Sequence, residues 1–111
     1  MKTKPVQVMV LSTDKLLTER MEFCALLWKN RISSSFVYSE NKKLRKQLDE
    51  ANRENVRFAV IFGGDELEKN IVNVKDLFNR TEETVDIDNL VNTLLAKGVK
   101  QDLVIDLMKK H

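Results

Sequence analysis

Four cationic side chains fall within five consecutive positions: Lys42, Lys43, Arg45 and Lys46. The apolar residues that follow recur at helical spacing, so this group, named here the basic turn, opens a predicted helix. A helix start carries a partial positive charge, and cations there are disfavoured by a few tenths to about 1 kcal/mol each. A phosphate backbone would relieve that repulsion and accept hydrogen bonds from the free N–H groups. The basic turn therefore indicates a polyanion site. The alternative is a solvated helix face on which Asp49 and Glu50, at i,i+4 from Arg45 and Lys46, partly neutralise those two cations.

Three acidic residues, Asp65, Glu66 and Glu68, follow the glycine pair Gly63 and Gly64. Paired carboxylates could serve as general acid and base. One carboxylate could instead accept a hydrogen bond from the amino group of a nucleobase, because carboxylates read amino donors and not phosphates. The structural alternative is that Asp65 caps a short helical turn while the two glutamates stay in water. Neither a Gly-Lys-Ser/Thr after the glycine pair nor a GxGxxG after the first predicted strand is found, so both nucleotide-phosphate fingerprints are absent.

Two further side chains are candidates for the same site. Tyr38 ends the predicted second strand beside the basic turn, where its ring could stack on an unpaired base or serve as a packing residue with a wet hydroxyl. Lys75, on the polar side of a predicted hairpin, could project toward the acids. By contrast, Met21, Cys24 and Trp28 recur at helical spacing on an apolar stripe, and we expect them in the core.

The composition excludes several classes of catalytic and metal-binding site. Cys24 and His111 are the only residues of their types among 111, which excludes a disulfide framework, a Cys/His zinc cluster and Ser/His or Cys/His catalytic sets. We therefore predict no metal site, and any catalysis would have to rest on carboxylates or lysines. The net charge is +2, but residues 1–57 hold 12 Lys and Arg against 7 Asp and Glu, whereas 58–111 hold 7 against 10. The basic turn thus lies in a positively charged half.

Membrane and secretory classes are also excluded by pattern. No apolar run approaches the ~20 residues that a bilayer requires. The N-terminus is followed by a strand-like stretch and shows no secretory signal, which favours the cytoplasm.

Hydrophobic spacing predicts the elements that position these residues. In chain order they are strand 6–11, helix 17–28, strand 34–38, helix 44–51, strand 58–62, hairpin 71–85 with its turn at 79–82, helix 86–98 and a weaker helix at 103–108. This order predicts one three-layer α/β/α domain over 1–111, with a core at about 6–98 and a tail or helix at 99–111. Ligands bind beyond the carboxyl ends of parallel strands, so we expect the site after Leu11, Tyr38 and Phe62.

The chain resembles the C-terminal anticodon-binding domain of class IIa aminoacyl-tRNA synthetases and, within that family, eukaryotic histidyl-tRNA synthetase. The resemblance runs from about Val6 to Leu95. It is carried by LLTERM at 16–21 with LLW at 26–28, by Tyr38, Asn41, Lys43, Leu44, Gln47 and Leu48, and by Ile61, Phe62 and Gly63 with Glu66 and Leu67. It implies a mixed, about five-stranded sheet flanked by helices, in agreement with the elements above.

The resemblance also implies residue roles. Asn41 and Glu66 would hydrogen-bond anticodon bases, whereas Lys43 and Lys75 would neutralise phosphate or bond a base carbonyl. The remaining cations of the basic turn would hold the RNA backbone: Lys42, Arg45 and Lys46. Gly64 stands where the family often has an acidic residue.

Implied partners follow from the same resemblance. The domain would bind the anticodon stem-loop of histidine tRNA and support aminoacylation by a catalytic domain that is not in this chain. ATP and histidine would bind that catalytic domain, so we expect neither a cofactor nor a catalytic residue here. A homodimer is expected for the full-length protein, and neither a membrane nor DNA as a partner.

Two alternatives remain at this point. The first is a synthetase-derived interaction or dimerisation module, of the regulatory-kinase or polymerase-accessory type, without anticodon recognition. The second is a small enzyme that uses Asp65, Glu66 or Glu68, which would require a deep pocket around a desolvated carboxylate.

Overall fold

The computed structural model describes residues 6–39 and 41–102. Its strands are β1 (Val8–Ser12), β2 (Ser34–Phe36), β3 (Phe58–Phe62), β4 (Ile71–Asp76) and β5 (Thr81–Asp86). Its helices are α1 (Leu17–Lys29), α2 (Leu44–Arg53), α3 (Gly64–Glu68) and α4 (Leu90–Ala96), the last preceded by a 3-10 turn at Ile87–Asn89. The helix predicted at 103–108 lies outside the described residues.

The strands form one sheet in the order β2-β1-β3-β4-β5. β1 pairs in parallel with β2 and β3, and β4 pairs antiparallel with β3 and β5. The predicted mixed five-stranded sheet is confirmed. The parallel strands end on one side of the sheet, at Ser12, Phe36 and Phe62, and this side is called the carboxyl edge below. The opposite side is the amino edge.

Alternation along β1 divides the interior into two apolar layers. Val8 and Val10 pack in the layer of α1, α3 and α4, whereas Met9 and Leu11 pack in the layer of α2. The crossovers β1-α1-β2 and β2-α2-β3 move across the sheet in opposite directions. Right-handed connections therefore place α1 and α2 on opposite faces, and the predicted three-layer architecture is confirmed.

The buried face of α1 departs from the predicted stripe. The prediction of Met21 as a core residue is wrong: it is 48% exposed, and Arg20 takes the buried position beside it. Cys24 is buried as predicted, and desolvation raises the pKa of its thiol. Trp28 packs partly buried against the core, as predicted, and donates Nε1–H to the carbonyl of Ser34 at 2.9 Å.

Three predicted boundaries shift by a few residues. β2 ends at Phe36 instead of Tyr38, since the carbonyl of Val37 bonds the Arg20 guanidinium and not a neighbouring strand. β5 begins earlier than expected, because Arg80 takes a left-handed φ of 57° that closes the hairpin. The helix predicted from residue 86 becomes a 3-10 turn followed by α4.

A polar network closes the β4–β5 hairpin. The carboxylate of Asp76 accepts hydrogen bonds from Arg57 Nη2 at 3.1 Å, Phe78 N at 3.1 Å and Asn79 Nδ2 at 2.9 Å. Burial raises the pKa of Asp76, but the hydrogen bonds from Arg57 and Asn79, with the charge of Arg57, lower it to about 2. The hairpin therefore depends on an ionised carboxylate that the rest of the fold almost covers.

Candidate nucleic-acid interface

Hydrogen bonds join the loops that leave β1 and β3 at the carboxyl edge. Thr13 N donates to the carbonyl of Phe62 at 2.9 Å. Gly64 N donates to Asp14 Oδ2 at 3.2 Å, across 50 positions of sequence. The start of α3 is thus fixed beside the end of β1.

Gln47 fixes the start of α2 at the same edge. Its side chain is fully buried, and its Oε1 accepts from Ser12 N at 3.0 Å while its Nε2 donates to Ser12 O at 2.8 Å. The same Nε2 donates to the carbonyl of Lys42 at 2.9 Å. Sequence reasoning gave Gln47 no role. Its position could have indicated a role: Gln47 lies on the apolar stripe of α2, between Leu44 and Ala51, where a buried amide needs hydrogen-bond partners.

The basic turn lies at the beginning of α2 and is largely open to solvent. Lys43 is the N-cap residue, no side chain caps the helix, and its first turn holds no acidic residue. Lys43, Arg45 and Lys46 are exposed, and across residues 6–39 and 41–102 they form no ion pair. These three cations therefore lack a protein counter-charge in that part of the chain.

Lys42 differs from its neighbours in the basic turn. Its Nζ lies 3.9 Å from Glu50 Oε1, and both side chains are partly exposed. An exposed pair of this kind contributes well under about 1 kcal/mol. Among the described residues, the expected pairs of Arg45 with Asp49 and of Lys46 with Glu50 are not formed, and Glu50 lies near Lys42 instead.

The loop between β2 and α2 carries Tyr38 and is held by Arg20. The Tyr38 ring packs on Phe36, with centroids 4.7 Å apart and planes tilted by 45°, yet the residue is 76% exposed. The fully buried guanidinium of Arg20 donates to the carbonyls of Val37 and Ser39. Sequence reasoning missed Arg20, although a cation on an apolar helix stripe was a signal of buried partners.

Glu66 caps the start of α3. The N-cap residue is Gly63, and Glu66 Oε1 accepts a hydrogen bond from Gly63 N at 2.7 Å. The expectation that Asp65 caps this turn is therefore wrong, because the third residue of the helix reaches back in its place. A Cβ on Gly63 would lie 2.2 Å from Thr13 Oγ1, so the turn fits tightly against the loop after β1. Within the described residues, Glu66 Oε2 accepts no hydrogen bond.

Lys75 lies away from this turn. It pairs with Ala59 in the sheet register, on the face that α2 covers. Ala59 is three residues before the end of β3, or about 10 Å at the usual rise per residue. Lys75 lines a groove with Leu48, Asn52 and Arg80. The structure therefore places Lys75 in a groove with Leu48 and Asn52 of α2, whereas the other candidates lie at the carboxyl edge.

The remaining candidates converge on one edge from different layers. α2 packs in one apolar layer and Leu67 of α3 in the other. Both helices nevertheless begin at the carboxyl edge, where Gln47 and the Asp14 loop hold them to the end of β1. The basic turn and Glu66 thus flank the loop after β1, as the sheet topology predicts.

Other chemistries gain no support from the part of the chain that is described. Asp65 and Glu68 are exposed and Glu66 serves as a cap, so these acids form no desolvated pair. Over residues 6–39 and 41–102 there is no group of three His, Cys, Asp or Glu side chains suited to a metal ion. No helix in these ranges is long and apolar enough to cross a membrane.

Comparison with known proteins assigns the family. A family model described as an anticodon-binding domain matches residues 5–97. The cytoplasmic histidine–tRNA ligase of Dictyostelium discoideum is 34% identical over 84 residues, which is 75% of this chain. The chain is an anticodon-binding domain of the histidyl-tRNA synthetase family. The histidine–tRNA ligase of Danio rerio is 33% identical over 92 residues, or 82% of this anticodon-binding domain.

The similarity is limited to one part of the longer relatives. This anticodon-binding domain spans 18% of the length of each of those two ligases. The crystal structure of histidyl-tRNA synthetase from S. aureus has the same fold, with a TM-score of 0.70 over 79% of this chain and 26% of that one, at 24% identity. The predicted family resemblance is confirmed, and the chain corresponds to the anticodon-binding part of a ligase.

Proposed function

We propose that this domain binds the anticodon stem-loop of histidine tRNA across the carboxyl edge, and so supports aminoacylation by the catalytic domain of the same synthetase. One observation carries the proposal. The acid-free start of α2 and the cap of α3 both lie at that edge, held to the end of β1. The first offers cations, and the second offers a carboxylate oxygen without a partner in the described residues. Phosphates and base amino groups need these two kinds of partner.

The cations of the basic turn hold the RNA backbone in this proposal. Lys43, Arg45 and Lys46 are exposed beside the uncapped N–H groups of α2, so a phosphate there gains both Coulomb attraction and hydrogen bonds. Lys42 contributes less, because Glu50 already lies near its ammonium group. Lys75 contacts the RNA farther from the edge, beside the middle of α2.

Base recognition is assigned to the two ends of the site. Glu66 keeps one oxygen on Gly63 N and offers the other to a base amino group. Asn41, whose backbone N–H donates to Ser39 Oγ at 3.3 Å, offers its exposed amide to a base edge. The Tyr38 ring packs on Phe36 and is 76% exposed among the described residues, so its exposed part is available to stack on a base.

A salt titration of tRNA binding tests the backbone contacts. If about three phosphates are neutralised, log affinity falls against log salt with a slope of roughly −2 to −3. Lys46→Glu should weaken binding of all tRNAs alike and flatten that slope by roughly 1. The matched control is Lys100→Glu, an equal charge change on an exposed residue next to Gln7 at the amino edge. Sedimentation tests the alternative of an interaction module. If the chain does not bind tRNA but self-associates in sedimentation, that alternative is favoured.

Discrimination between anticodons tests the role of Glu66. Glu66→Gln keeps an oxygen for Gly63 N but replaces the second acceptor with a donor. We expect the preference for the histidine anticodon to fall by about 1–3 kcal/mol, the usual value of a good base contact. Glu68→Gln, on the same helix and exposed, is the control. Equal losses for every tRNA on changing Glu66 would contradict its assignment to base recognition.

The same proposal places the full-length synthetase in the cytoplasm as a homodimer, with ATP and histidine bound to its catalytic domain. The name of the Dictyostelium relative supports the cytoplasmic location. Fractionation of cells and sedimentation of the full-length protein test the two statements separately. A monomer would contradict the homodimer alone, and an organellar location would contradict the cytoplasmic location alone.

A further inference from the structure

Arg20 is a buried cation that has no place in the proposed contacts with RNA. It lies on α1, is fully buried, and sits in the stripe that otherwise packs Phe23, Cys24 and Leu27 into the core. Burial of a guanidinium is costly unless hydrogen bonds compensate it. An apolar side chain would fill the same stripe without that cost. We therefore look to the hydrogen-bond partners of Arg20 to explain why an arginine occupies this position.

Two hydrogen bonds of the Arg20 guanidinium end in the loop that follows β2. Nη1 donates to the carbonyl of Val37 and Nη2 to the carbonyl of Ser39, the latter at 3.2 Å. The Val37 carbonyl lies in the peptide group before Tyr38 and the Ser39 carbonyl in the peptide group after Ser39, so one planar guanidinium holds the backbone at both ends of the Tyr38–Ser39 segment. A guanidinium can span two carbonyls in this way because its donors form a rigid fork.

The same loop carries two of the proposed RNA contacts. Tyr38 projects into solvent from between the two bonded carbonyls. Ser39, whose carbonyl is bonded, also accepts the backbone N–H of Asn41 on its Oγ at 3.3 Å. Hydrogen bonds thus link the interior of α1 to the backbone around Tyr38 and to the backbone N–H of Asn41.

We propose that Arg20 is a positioning residue for tRNA binding: it orders the loop after β2 so that Tyr38 is presented before the RNA arrives. This inference rests on the proposed function and adds a residue that does not touch the ligand. Ordering a loop in advance removes an entropic cost from binding, which is the general effect of preorganisation.

The test uses the 111-residue chain with Arg20→Lys and Arg20→Met. Lysine keeps the charge but cannot span both carbonyls, and methionine keeps only part of the volume. We expect the affinity for histidine tRNA to fall roughly tenfold in Arg20→Met and less in Arg20→Lys, as preorganisation and charged hydrogen bonds are lost. Backbone order parameters at Tyr38 and Ser39, measured by nuclear magnetic resonance relaxation, should fall in parallel at temperatures where circular dichroism remains native.

The control is Cys24→Ala, one turn along the same helix. Cys24 is buried and lies 3.2 Å from Ser34 Oγ in β2, before the loop that Arg20 holds. This variant should lose stability but keep its tRNA affinity within about twofold, because truncation of a small core residue leaves the distant contacts in place. If the loss of tRNA affinity is proportional to the loss of stability in both the Arg20 variants and Cys24→Ala, the inference is wrong.

A double-mutant cycle with Tyr38→Ala separates positioning from a merely structural role. If Arg20 acts through the Tyr38 ring, Arg20→Lys should cost little further affinity once the ring is gone, since coupled sites are non-additive. Additive losses would overturn the inference. The double-mutant cycle does not use Arg20→Met, so it still tests the inference if that variant does not fold.

Failure of the two proposals can be told apart. If the unmodified chain does not bind histidine tRNA, the proposed function falls and the role of Arg20 in binding falls with it. If the unmodified chain binds and Arg20→Lys binds equally well with unchanged order parameters at Tyr38 and Ser39, only the inference about Arg20 is wrong.

Discussion

The parallel half of the sheet and the antiparallel hairpin both contain a buried polar group, but these groups are used differently. At the carboxyl edge, Gln47 and Arg20 reach across 35 and 17 positions of sequence to bond loop backbone. In the hairpin, Asp76 bonds the backbone of residues two and three positions ahead and the side chain of Arg57. The first arrangement fixes loops that carry the candidate site, and the second closes a local turn.

This contrast teaches where the site depends on the whole fold. Loops held by distant side chains keep their shape only while α1, α2 and β1 remain packed together. The hairpin turn is held mostly by its own residues, with Arg57 as a further partner 19 positions away, and it depends less on the packing of α1 and α2. RNA contacts at the carboxyl edge should therefore respond to core substitutions that leave the hairpin unaffected.

The largest effect is expected for Gln47→Leu. Leucine is close in size, but it leaves the N–H and carbonyl of Ser12 without their partners in a buried place. The free energy of unfolding should fall by about 2–4 kcal/mol, because each buried unsatisfied group costs about 1–3 kcal/mol. Chemical denaturation measures this loss. An unchanged stability would mean that the amide does not hold α2 to β1.

An acid titration of stability tests the hairpin. The pKa of Asp76 is lowered to about 2 in the folded protein, against 3.8 as its ordinary value. Its contribution is therefore present above pH 3.8 and is lost as the pH falls toward 2. The loss should be about 2 kcal/mol for that carboxylate. Asp76→Asn removes this pH-dependent contribution. When the free energy of unfolding is plotted against pH, the difference between the unmodified chain and Asp76→Asn should therefore shrink as the pH falls from 3.8 toward 2. Parallel curves would contradict the assignment.

The smallest effect sharpens the description of the basic turn. Glu50→Gln removes the partner of Lys42, which is a partly exposed pair. Stability should change by less than about 0.5 kcal/mol. Affinity for tRNA should rise about two- to threefold, since the released cation becomes available to phosphate. Asp49→Gln is the control, because it changes the same charge on the same helix without touching Lys42. Equal gains in both variants would show a general charge effect only.

Much of the fold could be predicted because its signals are local. The uninterrupted apolar run at β3, the β-branched stretch at β1 and the alternation along β4 each follow from side-chain period. Glycine and polar residues then mark the turns, and chain order with right-handed crossovers gives the layers.

The parts that could not be predicted depend on contacts between distant residues. Met21 and Arg20 are neighbours on α1, and hydrophobicity alone favours Met21 for burial; the carbonyls of Val37 and Ser39 reverse that choice. Glu66 rather than Asp65 stabilises the start of α3, because the Gly63 turn is pressed against Thr13 and brings its N–H within reach of the third helical residue. The location of the candidate site at the carboxyl edge followed from topology, whereas the details of its support did not.

The most direct test of the account is a nuclear magnetic resonance titration of the 111-residue chain with the anticodon stem-loop of histidine tRNA. The account predicts that amide signals of Ser39, Asn41, Gly63 and Gly64 shift on binding, while those of Gln7 and Lys100 at the amino edge do not. Shifts confined to the amino edge or to α4, with the carboxyl edge unchanged, would contradict it.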